Sequence, residues 1–242
     1  MRNITLHTLL GSLLLLTSCN KDKVKPISES INIIMPLGAS RVEGGLPDYE
    51  SFRYELWKDL VDGGWDFDFI GTQNDDESAY GEYAGNVFDI DHEGRGGWTT
   101  SQIADGIEQW LELVGSPDIV LFSSPGGNDA LNGEPYDQAI TNINTIIDLL
   151  QTNNPEVTIL IEVLAPAKAE AMTPELTAFM DDLKTDIPTI ATAQSTAISN
   201  VIVVDMSDGF SESFYADDVH YNTLGADFVA TKYYDILSTI LN

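Results

Sequence analysis

Residues Ile31–Gly45, INIIMPLGASRVEGG, decide how the chain is read. An apolar run from Ile31 to Leu37 stops at Gly38, and Ala39, Ser40 and Arg41 follow it. A run that is apolar at nearly every position predicts a strand buried on both faces, as in a parallel sheet. The small and polar residues after it predict a loop at the carboxyl edge of that sheet, where open α/β sheets place ligands. A serine in that loop becomes a nucleophile only if other loops supply a base and donors for the developing charge.

Downstream, strand and helix patterns alternate. Tyr49–Asp62 reads as a helix, with Phe52, Leu56 and Leu60 four apart and Gly63-Gly64 ending it. Trp65–Thr72, WDFDFIGT, alternates apolar and polar residues and predicts the second strand. Asn74–Asp91 is a long acidic loop. Its carboxylates raise the option of calcium, but it lacks EF-hand spacing and reads as a solvated loop. The turn Gly94–Trp98, GRGGW, leads to a helix over Thr99–Val114 with Ile103, Ile107, Leu111 and Val114 on one face. Pro117–Ser124 is the third strand and Pro125–Asp129, PGGND, the loop after it. A helix over Tyr136–Leu150 precedes the fourth strand, Val157–Leu164. Thr173-Pro174 opens the next helix, which Pro188 is expected to break or kink. Val201–Asp205 is the fifth strand, and Thr223–Leu241 the final helix. This order predicts one α/β domain over residues 31–242. It is a flavodoxin-like three-layer α/β/α sandwich with a five-stranded parallel sheet and right-handed crossovers.

Upstream, Arg2, the apolar run Leu9–Leu16 and the ending Leu16-Thr17-Ser18-Cys19 form a secretory signal over residues 1–18, too short to span a membrane. Its ending resembles a bacterial lipobox, which implies that Cys19 is lipidated. The protein is then extracytoplasmic and meets the membrane only through that anchor. Residues 19–30 read as a polar tether. Cys19 is the only cysteine, so the domain contains no disulfide.

The net charge of −28 argues against nucleic acid and against phosphate-rich or anionic lipid substrates. Neutral ligands such as sugars remain compatible. Of three histidines, His7 leaves with the signal, so histidine chemistry falls to His92 or His220.

In a parallel sheet, the loops after the strands open on one edge. Gly38-Ala39-Ser40, Gly96-Gly97-Trp98, Gly127-Asn128-Asp129 and Asp217-Asp218-Val219-His220 all fall on or near that edge. Together with FRYELW and DFIGTQ, these blocks resemble the SGNH (GDSL) hydrolases, and within them the acetyl xylan esterase type of carbohydrate esterase. The resemblance runs from Ile31 to the C-terminus. It implies Ser40 as nucleophile, His220 as general base and Asp217 as its orienter. It also implies an oxyanion hole from the Ser40 and Gly97 N–H groups and the Asn128 side chain, with no cofactor and no metal. Asp129 is expected to shape its loop and His92 to order its turn. Trp98 reads equally as core or as a sugar-facing platform.

The sequence departs from the family at Ala39, where an aspartate is usual, and at Arg41, where an apolar residue is usual. The guanidinium of Arg41 is placed either to replace the lost polar contact or to reach substrate. Arg95-Gly96 and Tyr221 are further departures, and none removes a catalytic atom. The expected activity is removal of small acyl groups, acetyl above all, from neutral acylated carbohydrate through an acyl-serine. Two other readings stand beside it. One is a lipase, lysophospholipase or thioesterase of the same fold; the other is a non-catalytic carbohydrate-binding lipoprotein, for which Ala39 is the main support.

Overall fold

A computed structural model describes residues 27–242. The signal segment and Cys19 lie outside the described residues, and residues 27–30 of the tether carry no regular structure. The elements are β1 (Ile33–Gly38), α1 (Ser40–Glu43), α2 (Arg53–Gly63), β2 (Asp68–Phe69), β3 (Gln73–Asn74), β4 (Asp91–Gly94), α3 (Thr100–Val114), β5 (Ile119–Phe122), α4 (Gly127–Asn132), α5 (Tyr136–Asn153), β6 (Thr158–Val163), α6 (Pro174–Gln194), β7 (Val201–Asp205) and α7 (Thr223–Ile240).

The sheet has seven strands rather than five. Its parallel body runs β4-β1-β5-β6-β7, the flavodoxin-like order, with β2 also paired to β1 and β3 antiparallel to β4. The extra strands come from a split. The single second strand expected over Trp65–Thr72 is only Asp68–Phe69, paired with Ile33 and Ile34. The chain then leaves, and Asp91–Gly94 returns to pair with Leu37 and Gly38. Pro36 falls between the two pairings. The carbonyls of Asn32 and Ile34 accept from Asp68 and Ile70 on this side, so alternation turns Pro36 the same way. The residue with no N–H thus occupies the break in the ladder, which is how a central strand tolerates a proline.

β1 divides its side chains between two cores. Ile34 joins Phe52 at the entry to α2, Leu56 and Leu60 within it, and Val229, Tyr233 and Leu237 of α7. Met35 and Leu37 join Ile103 and Ile107 of α3, Ile143 and Ile147 of α5, and Leu183 and Ile187 of α6. These are the three layers. Each such side chain, fully buried, contributes about 1.5–3 kcal/mol. That burial explains why α6 continues through Pro188 instead of ending there. The lost hydrogen bond and ring clash cost about 3 kcal/mol, and Leu183, Ile187, Ile190 and Ala191 on either side are all buried.

The described ends meet at the amino edge of the sheet. Asn32 Nδ2 donates to the Asn242 carbonyl at 3.1 Å, and Asn242 N–H donates back to Asn32 Oδ1 at 3.0 Å. Ile27 lies against Gly115 at the end of α3, on the same side.

Candidate active site

β1 ends in Gly38 because nothing larger fits: a Cβ there would lie 2.7 Å from the Ser123 carbonyl oxygen and 2.8 Å from Val42. The chain turns at once into α1, so Ser40 sits in the first position of a single helical turn rather than in an open loop. Its N–H is one of the orphan donors at a helix start, and no acceptor takes it among the described residues.

The structure brings Ser40, His220 and Asp217 together. His220 Nε2 is 2.9 Å from Ser40 Oγ, and its Nδ1 is 2.7 Å from Asp217 Oδ2. With Nδ1–H donating to the carboxylate, Nε2 is free to accept from the serine hydroxyl. Asp217 Oδ1 also accepts from the backbone of Val219 and His220, at 2.9 and 2.8 Å. Burial opposes ionisation of Asp217, but these hydrogen bonds outweigh it and lower its pKa to about 2. Asp218 is used differently: its carbonyl accepts from Lys168 N–H.

The other two blocks lie beside this serine. Gly97 has φ 78°, a left-handed conformation that favours glycine, inside a turn closed by Trp98 N–H donating to the Arg95 carbonyl at 3.1 Å. No acceptor takes the Gly97 N–H among the described residues. PGGND is not a loop throughout, because Gly127–Asn132 forms the short helix α4. Asn128 Nδ2 donates one hydrogen to the Trp98 carbonyl at 2.8 Å and keeps the other free. Asp129 does more than shape its own loop. Its carboxylate accepts from Thr100 N–H at 2.9 Å and Thr100 Oγ1 at 2.7 Å, bolting α4 to the start of α3. The carboxylate is buried and each bond is charge-assisted, so Asp129→Ala is expected to cost about 2–4 kcal/mol in urea unfolding.

All three arginines after residue 2 brace these loops. Arg41 is buried and spends its guanidinium on the scaffold, although it also lines the cavity beside Ser40. It donates to the carbonyls of Val219 at 2.9 Å, Ala165 at 2.9 Å and Pro166 at 3.3 Å, and to Ser124 Oγ at 3.3 Å. It therefore ties the nucleophile turn to the loops after β5, β6 and β7. Arg53 donates to the Val42 and Glu43 carbonyls at the end of α1 and pairs with Asp75 at 2.7 Å. Arg95 pairs with buried Glu93 at 2.6 Å beneath the Gly97 turn. His92 is buried; its Nδ1 accepts from Gly94 N–H at 3.0 Å, and Nε2 is 3.2 Å from Asp75. Trp98 packs against the core and Trp110.

Several contributors carry no motif signal. Glu43 Oε2 accepts from Gly96 N–H at 2.6 Å. Glu162, fully buried in β6, accepts from Ser124 N–H at 2.7 Å and Tyr233 OH at 2.7 Å. Burial dominates its surroundings and pushes its carboxyl pKa up. The only hint of it in the sequence is one acid inside the apolar stretch Val157–Leu164. Beside Ser40 opens a small, mostly apolar cavity of about 50 Å³, walled by Asn128, Leu131, Leu164, Leu176 and Met180. Among the described residues, no group of three or more histidines, cysteines or acids is placed to hold a metal, and no helix is long and apolar enough to cross a membrane.

The fold has counterparts in known structures. A carbohydrate esterase family 3 structure from Talaromyces cellulolyticus is similar, with a TM-score of 0.74 and 27% identity over 86% of this chain and 97% of that one. A family 3 carbohydrate esterase from Clostridium thermocellum gives a TM-score of 0.70 and 30% identity over 87% and 99%. An acetyl esterase variant with an acetate ion gives 0.74 and 26% over 86% and 97%. Among curated protein sequences none matches. The model of the GDSL-like lipase/acylhydrolase family matches residues 60–228. Fold, family and structural likeness together define a serine ester hydrolase. The chain belongs to the GDSL-like lipase/acylhydrolase family. Because that match begins after Ser40, the place of the serine rests on geometry and on the order of the blocks.

Proposed function

We propose that this protein removes acetyl groups from neutral carbohydrate by way of an acyl-serine. The observation that carries the reading is the continuous hydrogen-bonded path Asp217–His220–Ser40 at the carboxyl edge of the sheet. Ser40 Oγ attacks the ester carbonyl carbon while its proton passes to His220 Nε2. The carbonyl oxygen becomes an oxyanion and accepts from the Ser40 N–H, the Gly97 N–H and the free hydrogen of Asn128. These donors are already fixed by α1, the Arg95–Trp98 turn and the Trp98 carbonyl, so little reorganisation opposes them. The bond to the sugar oxygen then breaks, and His220 returns the proton to that oxygen. Water, deprotonated by His220, attacks the acyl-serine; acetate leaves and the serine is restored.

The carbohydrate part of this reading is supported by likeness to the family 3 carbohydrate esterases, and the acyl part by the apolar cavity beside Ser40. Lipidation of Cys19 and an extracytoplasmic location rest on the first nineteen residues alone. The direct test is acetate release from acetylated xylan and other acetylated glycans, with Ser40→Ala alongside. Wild type is expected to release acetate and the variant none. Equal inertness of both proteins, with glycan binding retained, would leave a binding protein instead.

The apolar lining of the cavity favours one second reading, a lipase or thioesterase on the same machinery. Aryl esters separate the two. Turnover of acetate at least about tenfold faster than octanoate is expected, a difference of about 1.4 kcal/mol in barrier. The reverse order would replace the carbohydrate reading.

A further inference from the structure

Tyr49 lies flat against the His220 imidazole: the ring centroids are 3.9 Å apart and the planes differ by 17°. Backbone pairing on both sides of the stack makes this a built contact. Tyr49 N–H donates to the Gly45 carbonyl at 3.2 Å, and Gly45 N–H donates back to the Tyr49 carbonyl at 3.1 Å. One residue on, Glu50 N–H donates at 2.9 Å to the carbonyl of Tyr221, the residue after His220. The chain at 49–50 is thereby tied to the chain at 220–221. Gly45 leaves room for the ring, since a Cβ there would stand 2.5 Å from Tyr49 Cε1 and Cζ. The hydroxyl of Tyr49 has no hydrogen-bond partner among the described residues, so the ring face is what the contact uses.

His220 needs such a support. The Asp217 side chain that holds Nδ1 is half-exposed, at 51%. A wet carboxylate on one side and a single serine hydroxyl on the other hold the imidazole only loosely against rotation about its Cβ–Cγ bond. A flat neighbour removes that freedom. Its electron-rich face also favours the positive charge that the imidazole carries after taking the serine proton.

We propose that Tyr49 is a positioning residue for the base, its ring holding His220 in the orientation that meets Asp217 and Ser40 together. The inference rests on the serine-esterase reading of Ser40 and His220. The charged groups around the pair are Asp217 on the histidine's own loop, Glu43 on α1, and Asp48 beside Tyr49. Burial first, then the charges of Glu43, Asp217 and Asp48, push the Tyr49 phenol pKa up, so the ring stays neutral wherever the base works.

The test is steady-state hydrolysis of an aryl acetate by wild type, Tyr49→Phe, Tyr49→Leu and Gly45→Ala, with Ser40→Ala as control. Tyr49→Phe keeps the ring and is expected within about threefold of wild type in kcat, while Tyr49→Leu loses about 10- to 100-fold in kcat with KM nearly unchanged. Gly45→Ala leaves Tyr49 in the chain but displaces its ring, and is expected to fall in the same direction. It decides the matter if Tyr49→Leu does not fold. A proton NMR signal from Nδ1–H of His220, present in wild type and Tyr49→Phe, is expected to broaden in Tyr49→Leu. Full kcat in a folded Tyr49→Leu, full kcat in Gly45→Ala, or a loss in Tyr49→Phe as deep as in Tyr49→Leu overturns the inference. If Ser40→Ala is dead while Tyr49→Leu is unimpaired, only this inference fails. If Ser40→Ala hydrolyses as wild type does, the esterase reading of Ser40 fails and takes this inference with it.

Discussion

Ser40→Ala is expected to lower kcat/KM on aryl acetate by at least about 10⁴-fold, with thermal stability within a degree or two of wild type. The loss is large because, among the described residues, no other hydroxyl is bonded to His220. Ser124, also on the cavity wall, is held by Glu162 and Arg41, and no histidine is bonded to it. Stability is spared because Ser40 Oγ bonds only to His220, and alanine suits the first turn of a helix. Residual activity within tenfold of wild type would mean that the chemistry lies elsewhere. Active-site titration with an organophosphonate gives the same answer independently: wild type takes up one equivalent and the variant none.

Asp217→Asn is expected to reduce kcat by about 10³- to 10⁴-fold with little change in KM. The carboxylate accepts from the His220 ring and from two backbone N–H groups. An asparagine keeps the shape but can present its NH₂ to Nδ1. That favours the tautomer with the proton on Nε2, and the base can no longer accept from Ser40. The sign of the pH dependence follows from the same contacts. A group whose folded pKa is lowered to about 2 stays ionised at every higher pH. Its contribution to stability is present above the ordinary aspartate value and is lost only as the pH falls toward 2. Acid inactivation of the wild type in milder acid therefore reports another group. Stopped assays from pH 4 to pH 9 on both proteins, compared for kcat, check this. A variant retaining a tenth or more of wild-type kcat would remove Asp217 from the role.

Much of this arrangement is legible in the sequence, and the reasons are physical. β1, β5, β6 and β7 are short apolar runs bounded by turn residues, and α3, α5 and α7 carry an apolar stripe at helical spacing. Those patterns record burial, and burial built the three layers. The split strand was hidden because β4, Asp91-His92-Glu93-Gly94, contains no apolar side chain. Its buried residues are held by Thr72, Asp75 and Arg95 instead of by a core. The alternation of WDFDFIGT then made one long strand look complete. Pro188 does not end α6 for the opposite reason, because a local penalty is outweighed by packing that the local sequence does not announce. At the site, Ser40, Gly97, Asn128, Asp217 and His220 were visible through blocks that resemble those of the SGNH hydrolases. Tyr49, Glu43 and Glu162 were not, and Arg53 stood in the FRYELW block without a role, because each works through a partner remote in sequence. Arg41 was visible as an anomaly, and the structure shows its guanidinium turned inward as a brace.

The meeting of Asn32 and Asn242 bears on how the domain is presented. β1 carries the chain from that corner across the sheet to Ser40, a distance of roughly 17–20 Å for a strand of this length. Anything attached ahead of Ile27 thus grips the domain from behind, and the hydrolytic edge looks away from the point of attachment. The same geometry makes the domain a candidate for circular permutation. A short linker can join the ends at Asn32 and Asn242, and new ends can be opened in the excursion between β3 and β4, where the exposed tip around Gly85 has a clear surroundings. The rearranged chain would keep β1, its serine and the histidine loop in their present register.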